Sequence, residues 1–219
     1  MPINNHLLSI IFLLTSLFAS PVFSQESSEA ETLYQKGEQY YYGKDVEEDN
    51  EQALYWYQKA ADLNHVDAQY SVGIMYDEGE GTKEDNQKAI YWYTKAAEQG
   101  DSAAQYNLAI MYDEGEGTKE DNKKAIHWYT QSAEQGDESA QYNLALMYDY
   151  GEGTEEDNQK AIYWYTQSAE QGDADAQYNL AIMYDEGEGT PEDDEKAIYW
   201  YTKAARQGHA DARHNLSLM

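Results

Sequence analysis

Carboxylates are the side chains of this sequence with the most capacity for chemistry. Asp and Glu number 42 against 14 Lys and Arg, a formal charge of −28. They gather in strings such as Asp113-Glu114-Gly115-Glu116-Gly117 followed by Glu120-Asp121. Paired carboxylates serve as acid and base in glycosidases, and clustered ones hold hard cations. A high-affinity calcium loop alternates oxygen ligands, whereas these strings place glycines where oxygens are required. The strings also recur nearly unchanged along the chain, and an active site needs one asymmetric constellation. They read as a solvated acidic edge, partly paired with Lys88, Lys124, Lys160 and Lys196. Weak stabilisation by divalent cations is the alternative, since neighbouring loops at helix-packing distance still repel at physiological salt.

Other catalytic signatures are missing. Gly79-Glu80-Gly81 begins like a dinucleotide loop but lacks a third glycine and a preceding strand. The sequence has no phosphate-cradling Gly-Lys-Ser/Thr loop, no Gly-x-Ser-x-Gly elbow and no His-Glu-x-x-His helix. His127 replaces a recurring tyrosine, and His209 and His214 are off the spacing of one helix face, so they look incidental. No catalytic residue, metal site or cofactor is expected. The excess of negative charge repels phosphates and anionic head groups, which excludes nucleic acid and membrane-surface binding.

The carboxylate strings recur because the whole chain does. Ala-Gln-Tyr appears at Ala68, Ala104, Ala140 and Ala176, always 36 residues apart, and all five tryptophans (Trp56, Trp92, Trp128, Trp164 and Trp200) fall in the same register. Such a period signals a stacked array. Five units follow, 32–67, 68–103, 104–139, 140–175 and 176–211, with 212–219 as a partial sixth unit or a capping helix.

Each unit reads as two helices. In 68–103, an Ala68–Tyr76 segment meets Gly79-Glu80-Gly81, which no helix continues through. Thr82 and Asp85 are both candidate N-caps for a second helix carrying Ala89, Ile90, Trp92, Tyr93, Ala96 and Ala97. Gly100 then ends that helix and Asp101 caps the next. The small alanines allow close helix approach, and the tryptophan row reads as a packing layer between units. One helix pair cannot bury its own apolar face, so the units must stack.

The first residues are a different material. Leu7–Phe18 is an apolar run too short to span a bilayer, followed by Pro21 and Val22-Phe23-Ser24. Residues 1–24 are expected to be a secretory signal peptide cleaved after Ser24, with 25–31 as a frayed polar lead-in. The absence of cysteine excludes disulfides, thiolate metal sites and a lipidated-cysteine anchor. A periplasmic or secreted product without a membrane anchor is expected.

The motif Ala-x-x-x-Leu-(Gly/Ala)-x-x-Tyr, Gly-x-Gly-Thr, Asp-x-x-Lys-Ala, Trp-Tyr, Ala-x-x-Gly resembles the Sel-1-like repeat, a relative of the tetratricopeptide repeat. In 104–139 it is carried by Ala104, Leu108, Ala109, Tyr112, Gly115, Gly117, Asp121, Lys124, Ala125, Trp128, Tyr129, Ala133 and Gly136. Ala109, Ala145 and Ala181 stand where that family usually has the glycine kept at Gly73. The resemblance implies an all-α, right-handed α/α superhelical solenoid of antiparallel helix pairs, and a non-catalytic role holding other proteins. Cysteine-rich secreted relatives linked to β-lactams form a subset from which this cysteine-free chain departs.

A second face of the first helices has no assigned packing role. It comprises Tyr70, Ile74 and Asp77; Tyr106, Ile110 and Asp113; Tyr142, Leu146 and Asp149; Tyr178, Ile182 and Asp185. In similar solenoids the first helices line the concave side. The stripe then suits an extended partner polypeptide with a basic or mixed surface, bound by a monomeric scaffold. Alternatively, the Tyr and Ile side chains merely complete inter-helix packing. Competing functions are a secreted hydrolase of cell-wall or β-lactam substrates and a cation-dependent envelope protein.

Overall fold

The computed structural model describes residues 21–219, with side chains from Ser27 onward. The apolar run therefore lies outside the described residues. Among the described residues there are eleven helices and no strand: α1 (Pro21–Tyr41), α2 (Asn50–Asp62), α3 (Val66–Asp77), α4 (Asn86–Glu98), α5 (Ser102–Glu114), α6 (Asn122–Glu134), α7 (Glu138–Tyr150), α8 (Asn158–Gln171), α9 (Ala174–Glu186), α10 (Asp194–Arg206) and α11 (Ala210–Leu216). Each helix packs on its successor, giving an all-α solenoid of helix pairs. Residues 25–31, expected as a frayed lead-in, are helical in α1. Ala30 is buried there and Glu31 bonds to His65, so tertiary contact overrides a polar local sequence.

Aspartate starts the second helices. Asp85 Oδ1 accepts the Lys88 backbone N–H at 3.1 Å, and Asp49, Asp121, Asp157 and Asp193 repeat the arrangement, so Asp85 and not Thr82 is the cap. Lys88 Nζ then closes on Asp85 Oδ2 at 3.2 Å while lying 4.7 Å from the centroid of the Tyr76 ring. One lysine thus fixes the start of α4 and the end of α3. Asp101, Asp137 and Asp173 cap first helices in the same way.

At both ends of the array histidine takes that capping position. His65 Nδ1 accepts from Ala68 N–H, its Nε2 meets Glu31 at 3.0 Å, and its ring stacks on Tyr34 at 4.6 Å. His209 does the same with Ala212, with Asp175 at 3.3 Å and with Tyr178 at 4.4 Å. His209 is therefore structural rather than incidental. Its role was hidden because imidazole is an uncommon cap and its partners lie one repeat away.

The core repeats as the sequence does. Tyr93, Tyr129, Tyr165 and Tyr201 are fully buried, surrounded by Ala89, Ala96, Ala104 and their counterparts and by Met75, Met111, Met147 and Met183. Trp92 and Trp200 are buried and the other tryptophans half-buried, each meeting its preceding aromatic neighbour edge-on at 4.7–5.0 Å.

Two devices join successive units. Buried Gln105 donates through Nε2 to the Ala97 carbonyl at 3.0 Å, and its Oε1 accepts from Gln135 at 2.7 Å. Gln69, Gln141 and Gln177 repeat this bridge, so each buried amide ties the end of one helix pair to the next. The second device is the loop glycine. Gly117, at φ +66°, rests so closely on Asn86 that a Cβ would lie 2.6 Å from the Asn86 Cβ and 2.7 Å from its backbone carbon. The loop of one unit is thereby seated on the second helix of the unit before.

Candidate functional site

The stripe singled out in the sequence lies on one side of α3, α5, α7 and α9. All twelve of its residues are half-buried, neither core nor free surface. Tyr70, Tyr106, Tyr142 and Tyr178 tilt against the buried Tyr93, Tyr129, Tyr165 and Tyr201, with ring centroids 5.9–6.0 Å apart. Each stripe ring thus keeps one side on the core and leaves part of itself to solvent.

The aspartates are held rather than loose. Tyr93 donates its hydroxyl to Asp77 at 3.1 Å, Tyr129 to Asp113 at 3.3 Å, Tyr165 to Asp149 at 3.0 Å and Tyr201 to Asp185 at 3.3 Å. The next unit completes the relay: Asn143, Asn179 and Asn215 donate to the hydroxyls of Tyr129, Tyr165 and Tyr201 at 3.1–3.3 Å. Burial pushes Asp77, Asp113 and Asp149 above the usual carboxylate range, and the tyrosine bond pulls against that shift. The same burial raises Tyr93, Tyr129 and Tyr165 well beyond the ordinary phenol value, so each hydroxyl remains a donor.

Successive stripes meet in shared hollows. One of about 240 Å³ brings Tyr70, Ile74 and Asp77 together with Asn107, Ile110 and Glu116 of the following unit. Another of about 310 Å³ joins Asp149 and Glu156 to Asn179, Ile182 and Glu188. The floor is aliphatic, the walls are phenolic, and the rim is acidic. The asparagines were missed by the sequence reading, although Asn107, Asn143, Asn179 and Asn215 recur at the repeat period. Periodicity marks them, but only the fold shows that each serves its neighbour's tyrosine. Among the described residues no group of three or more His, Asp or Glu side chains is arranged to hold a metal ion. Among them also, no helix is long and apolar enough to cross a membrane.

A family model of the Sel1 repeat matches residues 30–65, 66–101, 102–137, 138–173 and 174–209, each unit starting two residues earlier than the register read from the sequence. The chain belongs to the Sel1 repeat family, whose fold generally mediates protein–protein interaction. Among solved structures it is similar to a protective antigen of uropathogenic Escherichia coli with an SLR fold, at 35% identity and a TM-score of 0.83. That match covers 85% of this chain and 40% of the antigen, so the chain spans well under half of that relative's length. A Sel1 repeat protein of Oxalobacter formigenes matches at 40% identity and TM-score 0.71, covering 84% of this chain and 75% of its own. A putative Sel1 repeat protein of Klebsiella pneumoniae, at 22% identity and TM-score 0.50 over 90% of this chain and 97% of its own, shares the fold. No curated protein sequence matches the chain.

Proposed function

We propose that the chain is an exported, monomeric scaffold that binds an extended polypeptide with a basic or mixed surface along the first-helix stripe. The observation that carries the reading is the continuity of that stripe. The same Tyr-aliphatic-Asp set stands half-buried on four successive first helices, and adjoining sets share hollows. A chain lying along it would meet an apolar floor for its aliphatic stems and a carboxylate rim for its charges. Extended-peptide recognition needs such repeated, equally spaced subsites.

Export rests on the apolar leader read in residues 1–24. Protein recovered from the periplasm or culture fluid should begin at Gln25, as N-terminal sequencing would show. Recovery of an intact Met1 start would overturn export by this route.

Binding is tested with an array of unstructured peptides graded in Lys and Arg content. The parent chain is compared with a Tyr106→Ala, Tyr142→Ala, Tyr178→Ala variant, once circular dichroism shows both helical. Retention that rises with peptide charge and drops at least tenfold in the variant is expected. Equal retention by both would overturn the stripe as the binding face.

A further inference from the structure

The first unit breaks the stripe, and the break makes a site of its own. Where later units place Tyr, an aliphatic residue and Asp, the same register in α1 carries Tyr34, Glu38 and Tyr41. Tyr41 thus stands at the position of Asp77, and Tyr57 lacks the aspartate that receives the hydroxyls of its counterparts. The result is a cavity of about 410 Å³ walled by Tyr34, Tyr41, Tyr42, Tyr57 and Tyr70. Asp67 and Asp101 join the lining.

We infer that this cavity is an aromatic cage for an alkylammonium group, and that its occupant is a lysine side chain of the polypeptide bound along the stripe. The inference deepens the groove reading and rests on it for the source of the cation. The ring geometry selects the shape of the cation. Tyr34 and Tyr57 are inclined at 34°, Tyr41 and Tyr57 at 52°, and Tyr41 and Tyr42 at 88°, with centroids 5.0–6.2 Å apart. Parallel rings sandwich a flat guanidinium, whereas rings inclined to one another in several planes suit a rounded ammonium head.

Charge points the same way. Lys36 lies over Trp56 and Lys44 over Tyr42, and neither lines the cavity. Asp67 and Asp101 supply negative charge, and Asp101 spends one oxygen on capping Ala104 N–H at 2.7 Å. Tyr34 and Tyr41 stay neutral. Burial, with the charges of Glu38 and Asp67, lifts Tyr34 to about 12, and the bond to Glu80 at 2.9 Å lifts Tyr41 to about 12. Phenol faces beside two carboxylates in a chain of net charge −28 leave a cation as the complementary guest.

The later repeats supply the substitution that tests this. Tyr41→Asp installs the residue carried by four other units, so the fold should tolerate it while the cage loses a wall. The full chain is titrated with Nα-acetyl-lysine methylamide, its uncharged norleucine isostere and choline, followed by saturation-transfer NMR at low salt. Saturable binding of the lysine probe is expected, about tenfold weaker in Tyr41→Asp and in Asp67→Asn, and unchanged in Tyr163→Ala, which removes an exposed tyrosine of α8 outside the stripe and the cavity. Norleucine should not saturate. Parity between the parent and Tyr41→Asp would overturn the cage, as would equal binding of norleucine. Choline that saturates where the lysine probe does not would overturn the lysine assignment. Lysine-probe binding that survives while no extended peptide is retained would overturn the groove alone.

Discussion

Ser132 and Ser168 occupy one position of successive units and meet different neighbours. Ser132 Oγ lies 3.0 Å from Ser102 Oγ and donates to the Ser102 carbonyl at 2.9 Å, whereas the fully buried Ser168 Oγ has no partner. Burying an unpaired hydroxyl costs about 1–3 kcal/mol. Ala96 and Ala204 fill the same position elsewhere, so Ser168→Ala should raise stability by about 1 kcal/mol in urea unfolding, and Ser132→Ala should lower it. Tyr129→Phe should cost about 1–3 kcal/mol, because Asn143 and the half-buried Asp113 both lose their hydrogen-bond partner. An unchanged midpoint would remove the relay from the account of stability. At this scale the stripe residues were legible because their periodicity matches one helix face. Their partners were not, since the hydroxyl that holds Asp113 comes from the other helix of the unit and the amide behind it from the next unit.

Helices and their joints were more legible than side-chain partners, because glycine, aspartate and the 36-residue period mark the ends directly. The exception was α1, whose polar start is made helical by contacts with the following unit. Two glycines of the 104–139 unit separate conformational strain from contact. Gly136, at φ +96°, has nothing within 4 Å of a built Cβ, while Gly117 has both a positive φ and the Asn86 backbone against it. Gly136→Ala should cost about 1 kcal/mol, the backbone preference alone. Gly117→Ala should cost several times more, since a backbone contact must also move. Equal losses in the unfolding midpoint would mean that the loop is not seated on α4.

For the molecule as a whole, burial and helix capping work in opposite senses as pH changes. Asp77, Asp113 and Asp149 are raised by burial, so their contribution to stability is complete below the ordinary carboxylate value and lost as pH rises through the raised one. Asp85, Asp157 and Asp193 are lowered by the lysine N–H each one caps. Their contribution stands above the ordinary value and disappears as pH falls through the lowered one. Mutual repulsion of the acidic loops adds to the first trend. Tm should therefore rise from neutral pH to about pH 5 and fall below about pH 3, and added sodium chloride should raise it more at neutral pH than at pH 5. A steady decline from neutrality would show that the stripe carboxylates are not desolvated. The overall architecture was legible because each unit restates the same evidence, while the tyrosine cavity was not, since it arises where α1 departs from the repeat. The glutamine bridges bear on a different property. Each of the four joints between full units is sealed by the same pair of amide bonds at nearly the same lengths, so these units form a row of matched mechanical links. Pulled from its two ends, it should yield at similar forces link by link, extending as a spring of uniform stiffness rather than snapping at one weak seam.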